Sequence, residues 1–152
     1  MTAYFQKKLG AQHYARKEYD LALAKYREAI KSVLGSTECH LVGWEKAWTN
    51  YAYLEVTQLI ELLALYNNIG LLLTQRNHPG DLSNALDHYN EIEAAFEAQG
   101  YTKANERFHG WAEHNPCAVE IPVLRGKARL RKAKIYELLN STFCSCNKKR
   151  YS

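Results

Sequence analysis

Six basic side chains crowd the stretch from Arg125 to Lys134, and two of them, Lys127 and Arg131, stand four residues apart. On a helix that spacing sets both cations on one face. Such a pair can hold an anionic group through charge-assisted hydrogen bonds, or it can simply solvate the helix surface. Asn68 is a second candidate, because Asn is a poor helix former and here it interrupts an apolar stripe. The Asn67-Asn68 pair has an alternative use, in capping a break or bonding the backbone. Other chemistry finds less support. Cys144-Ser-Cys146 is too tight for an ordinary zinc pair, and Cys39-His40 and His114 with Cys117 are isolated. No nucleophile elbow, phosphate loop or HExxH helix occurs, and the acidic residues are scattered singly along helix faces. The chain therefore reads as a binding protein, not an enzyme, with no cofactor and no metal expected.

The elements that must position these groups are helices. Apolar residues at a 3.6-residue period predict a first helix over about 2–17 and a second over about 18–34, joined by the tight turn Arg16-Lys17-Glu18-Tyr19 and closed by Gly35. A long helical region follows from about Trp44 or Ala47 to Arg76, with Leu59, Leu62, Leu63, Tyr66, Ile69 and Leu73 in one stripe. Asn77-His78-Pro79-Gly80 is a strong stop, and Asp81 is a good N-cap for a fourth helix over about 82–98. The segment 101–122 is irregular, and a last helix is predicted over about 123–139. A polar, basic tail at 141–152 is expected to be flexible, leaving 1–140 as the folded domain. No strand-period segment appears, so the fold class is all-α.

Bulk properties agree with one soluble domain. The chain has 152 residues, 47% hydrophobic and 24% charged, with only 3 Pro and 8 Gly to interrupt helices. A net charge of +4 permits an acidic ligand but is too mild to argue for nucleic acid by itself. The basic last helix lacks interleaved aromatics, which argues against nucleic acid further. The most apolar run, 59–73, contains Glu61, Asn67 and Asn68, and so fails as a membrane span. The spacing of the 4 Cys shows no disulfide framework, and a reducing, cytoplasmic setting is expected.

Two stretches repeat one pattern. Leu9-Gly10, Tyr19, Ala22, Tyr26 and Ala29 form the first; Ile69-Gly70, Ala85, Tyr89 and Ile92 form the second. In each, a small residue on one helix precedes a turn, and the next helix carries a small residue and then an aromatic four positions on. Small residues let helix backbones approach, and the aromatic fills the space beside them. These residues resemble tetratricopeptide repeats. The resemblance covers about half the chain, and Ala133 with Tyr136 reads as the opening of a third repeat. It implies a superhelix of about two and a half stacked antiparallel hairpins, with an irregular insertion before the last helix.

The layout also resembles the repeat domains of immunophilins and related co-chaperones, in which a long insertion follows the first hairpin. Those domains often bind heat-shock chaperone tails ending in Glu-Glu-Val-Asp, through a carboxylate clamp of lysines, asparagines and an arginine. Carried over, the clamp implies Lys7, Asn68, Lys127 and Arg131 as peptide-binding residues, with Tyr14 and Phe5 as groove walls. Ala11 stands where the family has an Asn, which removes one donor worth about 1–3 kcal/mol. Lys103 and Arg107, also four apart, fit the repeat spacing better than Lys127 and Arg131, but the latter put Ala133 and Tyr136 in register. The resemblance thus implies an adaptor for the acidic tail of a heat-shock chaperone. The competing expectation is a structural scaffold that takes a partner helix, or a second copy as a homodimer, with no clamp.

Overall fold

The computed structural model describes residues 3–34, 56–98 and 120–151. Those residues form five α-helices and no strand: α1 (Ala3–Ala15), α2 (Tyr19–Leu34), α3 (Val56–Arg76), α4 (Asp81–Ala98) and α5 (Glu120–Tyr151). The N-terminal half of the long third helix, Gly35, the bulk of the irregular segment, and the Lys103/Arg107 pair lie outside the described residues.

Helix α1 folds back on α2, and α3 folds back on α4. The first turn is closed by a left-handed residue, Lys17, with φ 63°. The Glu18 amide donates to His13 O at 2.9 Å and the Lys17 amide to Tyr14 O at 2.9 Å, satisfying carbonyls that the helix end would leave bare. The second turn has Asn77 at φ 49° and Gly80 at φ 84°. Asp81 is not the forward-facing cap that its position suggests. Gly80 O accepts from the Asn84 amide at 3.0 Å, so Gly80 occupies the cap. The buried Asp81 carboxylate turns back and accepts from Arg76 Nε and Nη2, both at 2.8 Å, and from the His78 amide at 2.9 Å. A paired guanidinium outcompetes the helix amides because the bond is bidentate and charged on both sides.

The repeated pattern has a direct physical counterpart. A Cβ added at Gly10 would lie 2.6 Å from Tyr26 Cε1, and one added at Gly70 would lie 2.5 Å from Tyr89 Cζ. Each glycine therefore makes room for the tyrosine of the facing helix. Ala22, Ala29, Ala85 and Ile92 are fully buried beside these contacts. The core is built mainly from α2, α3 and α4, with Leu59, Leu62, Leu63, Tyr66, Ile69 and Leu72 of α3 wholly enclosed.

Helices α2 and α3 join the two hairpins into a stack. Gln58 Nε2 donates to Val33 O at 3.2 Å, and Arg76 Nη1 to Asp20 Oδ1 at 2.7 Å at the opposite end, so α2 and α3 run antiparallel. Helix α5 then lies across α3 and α4. It is anchored by buried Ala128 and Ile135 and by Arg125 and Arg129, which share Glu93 of α4. It differs from the expected helix at both ends, running from Glu120 to Tyr151 rather than from about 123 to 139. Pro122 falls in its first turn, where a missing amide hydrogen is harmless, no Pro follows before Tyr151, and the helix continues through exposed Gly126. Ala133 is exposed and Tyr136 is 47% exposed. Among the described residues no helix covers them.

Candidate functional site

The direction of α5 follows from its two ends. Near its start, Leu124 O accepts from Asn67 Nδ2 at 3.1 Å. Further along, Leu139 shares a cleft with residues 77–80, Leu82 and Ser83 at the α3–α4 turn. Helix α5 therefore runs parallel to α3. Helix α1 runs parallel to α3 as well, since both are antiparallel to α2.

Between these three parallel helices lies a cavity of about 550 Å³. Lys7 of α1, Asn68 of α3, and Lys127 and Arg131 of α5 all line it. All four side chains singled out from the sequence are thus brought to one space, although they come from helices up to 124 residues apart in the chain, from Lys7 to Arg131. Lys7, Asn68 and Arg131 are half-buried and Lys127 is exposed. Among the described residues none of the three cations has a carboxylate within ion-pair distance.

Three residues that the sequence did not assign to this site shape it: Asn67, Glu61 and Glu120. Asn67 is only 2% exposed. Its Nδ2 donates to Leu63 O at 3.3 Å as well as to Leu124 O, so it bonds the backbone of its own helix and ties α5 to it. Its backbone carbonyl accepts from Arg131 Nη1 at 3.1 Å. One residue thereby seats α5 and directs the Arg131 guanidinium. Of the pair Asn67-Asn68, the first does the backbone bonding and the second faces the cavity. Glu61 and Glu120 also line the cavity, so it holds three cations and two carboxylates. The remaining wall is apolar: Ile60, Ala64, Val123 and Leu124.

Other expected residues fall elsewhere. Ala11 is exposed on α1 and does not line the cavity. Neither do Tyr14 and Phe5. Tyr14 instead packs on Tyr19, with ring centroids 5.7 Å apart. Its phenol is pushed up by burial and by Tyr19, against the pull of the Arg131 guanidinium. Burial likewise pushes the Tyr89 phenol up to about 12, again opposed by Arg131. Arg125 and Arg129, from the same basic stretch, point to α4. Burial raises the Glu93 carboxyl, but the hydrogen bonds from Arg129 and Arg125 outweigh it and hold Glu93 below the usual carboxylate range. Four of the six basic residues of that stretch thus divide by helix face: two fasten α5 to Glu93 and two face the cavity.

No helix among the described residues is long and apolar enough to cross a membrane, and none of them forms a group of three or more His, Cys, Asp or Glu. The chain matches no family model, no curated protein and no solved structure at a significant level.

Proposed function

We propose that the chain is a tetratricopeptide-like adaptor that grips the C-terminal carboxylate of a peptide. The observation that carries this reading is the convergence of Lys7, Asn68, Lys127 and Arg131 from three helices on one cavity. Three cations without carboxylate partners among the described residues and one amide can hold the paired negative charges of a C-terminal Asp by charge-assisted bonds. The apolar wall of Ile60, Ala64, Val123 and Leu124 suits the peptide stem. The acidic tail of a heat-shock chaperone is the ligand to test first. The cysteine spacing, with no disulfide framework, supports a reducing, cytoplasmic setting.

The test is fluorescence anisotropy with a labelled peptide ending in Glu-Glu-Val-Asp, beside the same peptide amidated at its C-terminus. Micromolar binding of the free acid alone is expected. Lys127→Ala is expected to weaken it at least tenfold with helicity unchanged, since Lys127 is exposed and has no partner among the described residues. Equal affinity for acid and amide, or for wild type and variant, would remove the clamp.

A second reading has its own observation. Leu130 of α5 is 75% exposed, and Tyr136, Leu138 and Leu139 are also exposed. Helix stacks need a cover over their last helix. A scaffold that pairs with a second copy through this face is the alternative. Light scattering at rising concentration separates the two: a strict monomer rejects the homodimer.

A further inference from the structure

The charges of the cavity are sorted along its length. Glu61 precedes Asn68 by seven residues on α3, and Glu120 precedes Lys127 by seven residues on α5. Seven residues are two helical turns, so each carboxylate lies on the same face as its downstream partner and about 10 Å before it. Because α3 and α5 run parallel, with Asn67 level with Leu124, the two carboxylates fall at the same end of the cavity. The other end holds Asn68, Lys127 and Arg131. Lys7 lies between the two ends. Gly10 sits against Tyr26 midway along α2, while Val33 and Asp20 of α2 meet Gln58 and Arg76 at the two ends of α3. Interpolating between those ties puts Gly10 near the level of Asn67, and Lys7, three residues earlier, near that of Ala64.

We infer that the cavity is polarised and takes a peptide end of mixed charge: a free C-terminal carboxylate with a Lys or Arg about three residues upstream. The inference rests on the carboxylate-gripping reading above and narrows its ligand. An extended peptide advances about 3.3 Å per residue, so the 10 Å separation corresponds to three residues. A basic side chain there meets Glu61 and Glu120, which have no ion-pair partner among the described residues. An acidic side chain at the same place meets two like charges. The discrimination is therefore partly repulsive, so a tail with Glu at that place still binds through the shared grip but more weakly than one with Lys. Glu120 stands in the first turn of α5, where an acidic side chain complements the helix dipole.

The test uses the full chain and labelled peptides of one length ending in Asp. A Lys or a Glu is placed in turn at the second, third and fourth residue before the end, and each peptide is made as the free acid and as the amide. In low salt the Lys free acid is expected to bind about fivefold tighter than the Glu free acid at the best position, the ratio that a partly exposed charge pair supplies. The double variant Glu61→Gln, Glu120→Gln is expected to lose that preference while still distinguishing acid from amide. Both residues are exposed, and circular dichroism checks that helicity is kept. If the acid is preferred over the amide but Lys and Glu peptides bind alike at every position, or Glu binds tighter, the polarity is overturned and the grip stands. If acid and amide bind alike, the grip itself falls and the inference falls with it.

Discussion

Gly10 and Gly70 do the same work in the two hairpins: each leaves space for the tyrosine ring of the opposing helix. Replacing either by Ala should gain about 0.5–1 kcal/mol of helix propensity and lose more to the displaced ring. A net loss of about 1–2 kcal/mol is expected from each, read as a lower midpoint in thermal or urea unfolding. Gly126 provides the contrast. Nothing lies within 4 Å of a Cβ built there, so Gly126→Ala should stabilise by about 0.5–1 kcal/mol. A neutral result at Gly10 together with a loss at Gly126 would contradict this account of the packing. The two tyrosines add a pH signature. Burial pushes the Tyr26 and Tyr89 phenols up to about 12, so the folded state resists their ionisation. The unfolded chain ionises them near pH 10, and stability should fall as pH rises from about 10 to 12.

At the level of elements, the α3–α4 hairpin is held by ionic and polar contacts as well as by its core face. Arg76 joins Asp81 and Asp20, but the two carboxylates are unequal: the Asp81 side chain is 4% exposed and that of Asp20 is 81% exposed. Asp81→Ala leaves Arg76 Nε and Nη2 and the His78 amide without their acceptor, and should cost about 1–3 kcal/mol. Asp20→Ala should cost under about 0.5 kcal/mol. Chemical denaturation of the two variants checks the order. His88 of α4 sits edge-on to Tyr66 of α3, with centroids 6.0 Å apart, and its Nδ1 lies 2.6 Å from Asn84 O. Burial holds its pKa below the usual 6.5. The unfolded chain takes up this proton more readily than the folded one, so stability should drop as pH falls below about 6.5. Asp81, held low first by its Arg76 hydrogen bonds, adds a second loss below about 3.8. Melting curves from pH 7.5 to 5 isolate the histidine step, and His88→Leu should flatten it.

The described residues form two closed hairpins with a fifth helix laid against them. Among its described side chains, α5 buries only Ala128 and Ile135, while α3 buries most of its length. Amide hydrogen exchange should therefore be slowest in α2 and α3 and fastest in the C-terminal half of α5. The cavity depends on that docking, because two of its cations ride on α5. Asn67→Ala removes the bond to Leu124 O and is expected to speed exchange in α5 and weaken peptide binding several-fold, with α1 to α4 little changed. Unchanged exchange in α5 would mean that Arg125, Arg129 and the two buried residues suffice to seat it.

Much of this architecture was legible in the chain, because helix period, turn residues and the glycine–tyrosine spacing are local properties written within about 25 residues of one another. The spans of α1, α2 and α4, both tight turns and the pairing of Gly10 with Tyr26 and Gly70 with Tyr89 follow from such patterns, whereas α5 overran its expected span at both ends. What local pattern could not decide was which cations serve packing and which face a cavity. Arg125 and Arg129 look no different in sequence from Lys127 and Arg131, yet Glu93 takes the first pair and leaves the second free of carboxylates among the described residues. That choice depends on the rotation of α5 about its own axis. The rotation is set by Ala128, Ile135 and the Asn67 bond, which are contacts with helices some 30 to 70 residues earlier in the chain. The parallel run of α3 and α5, which gathers Glu61 and Glu120 at one end of the cavity, is likewise a property of the assembled stack alone.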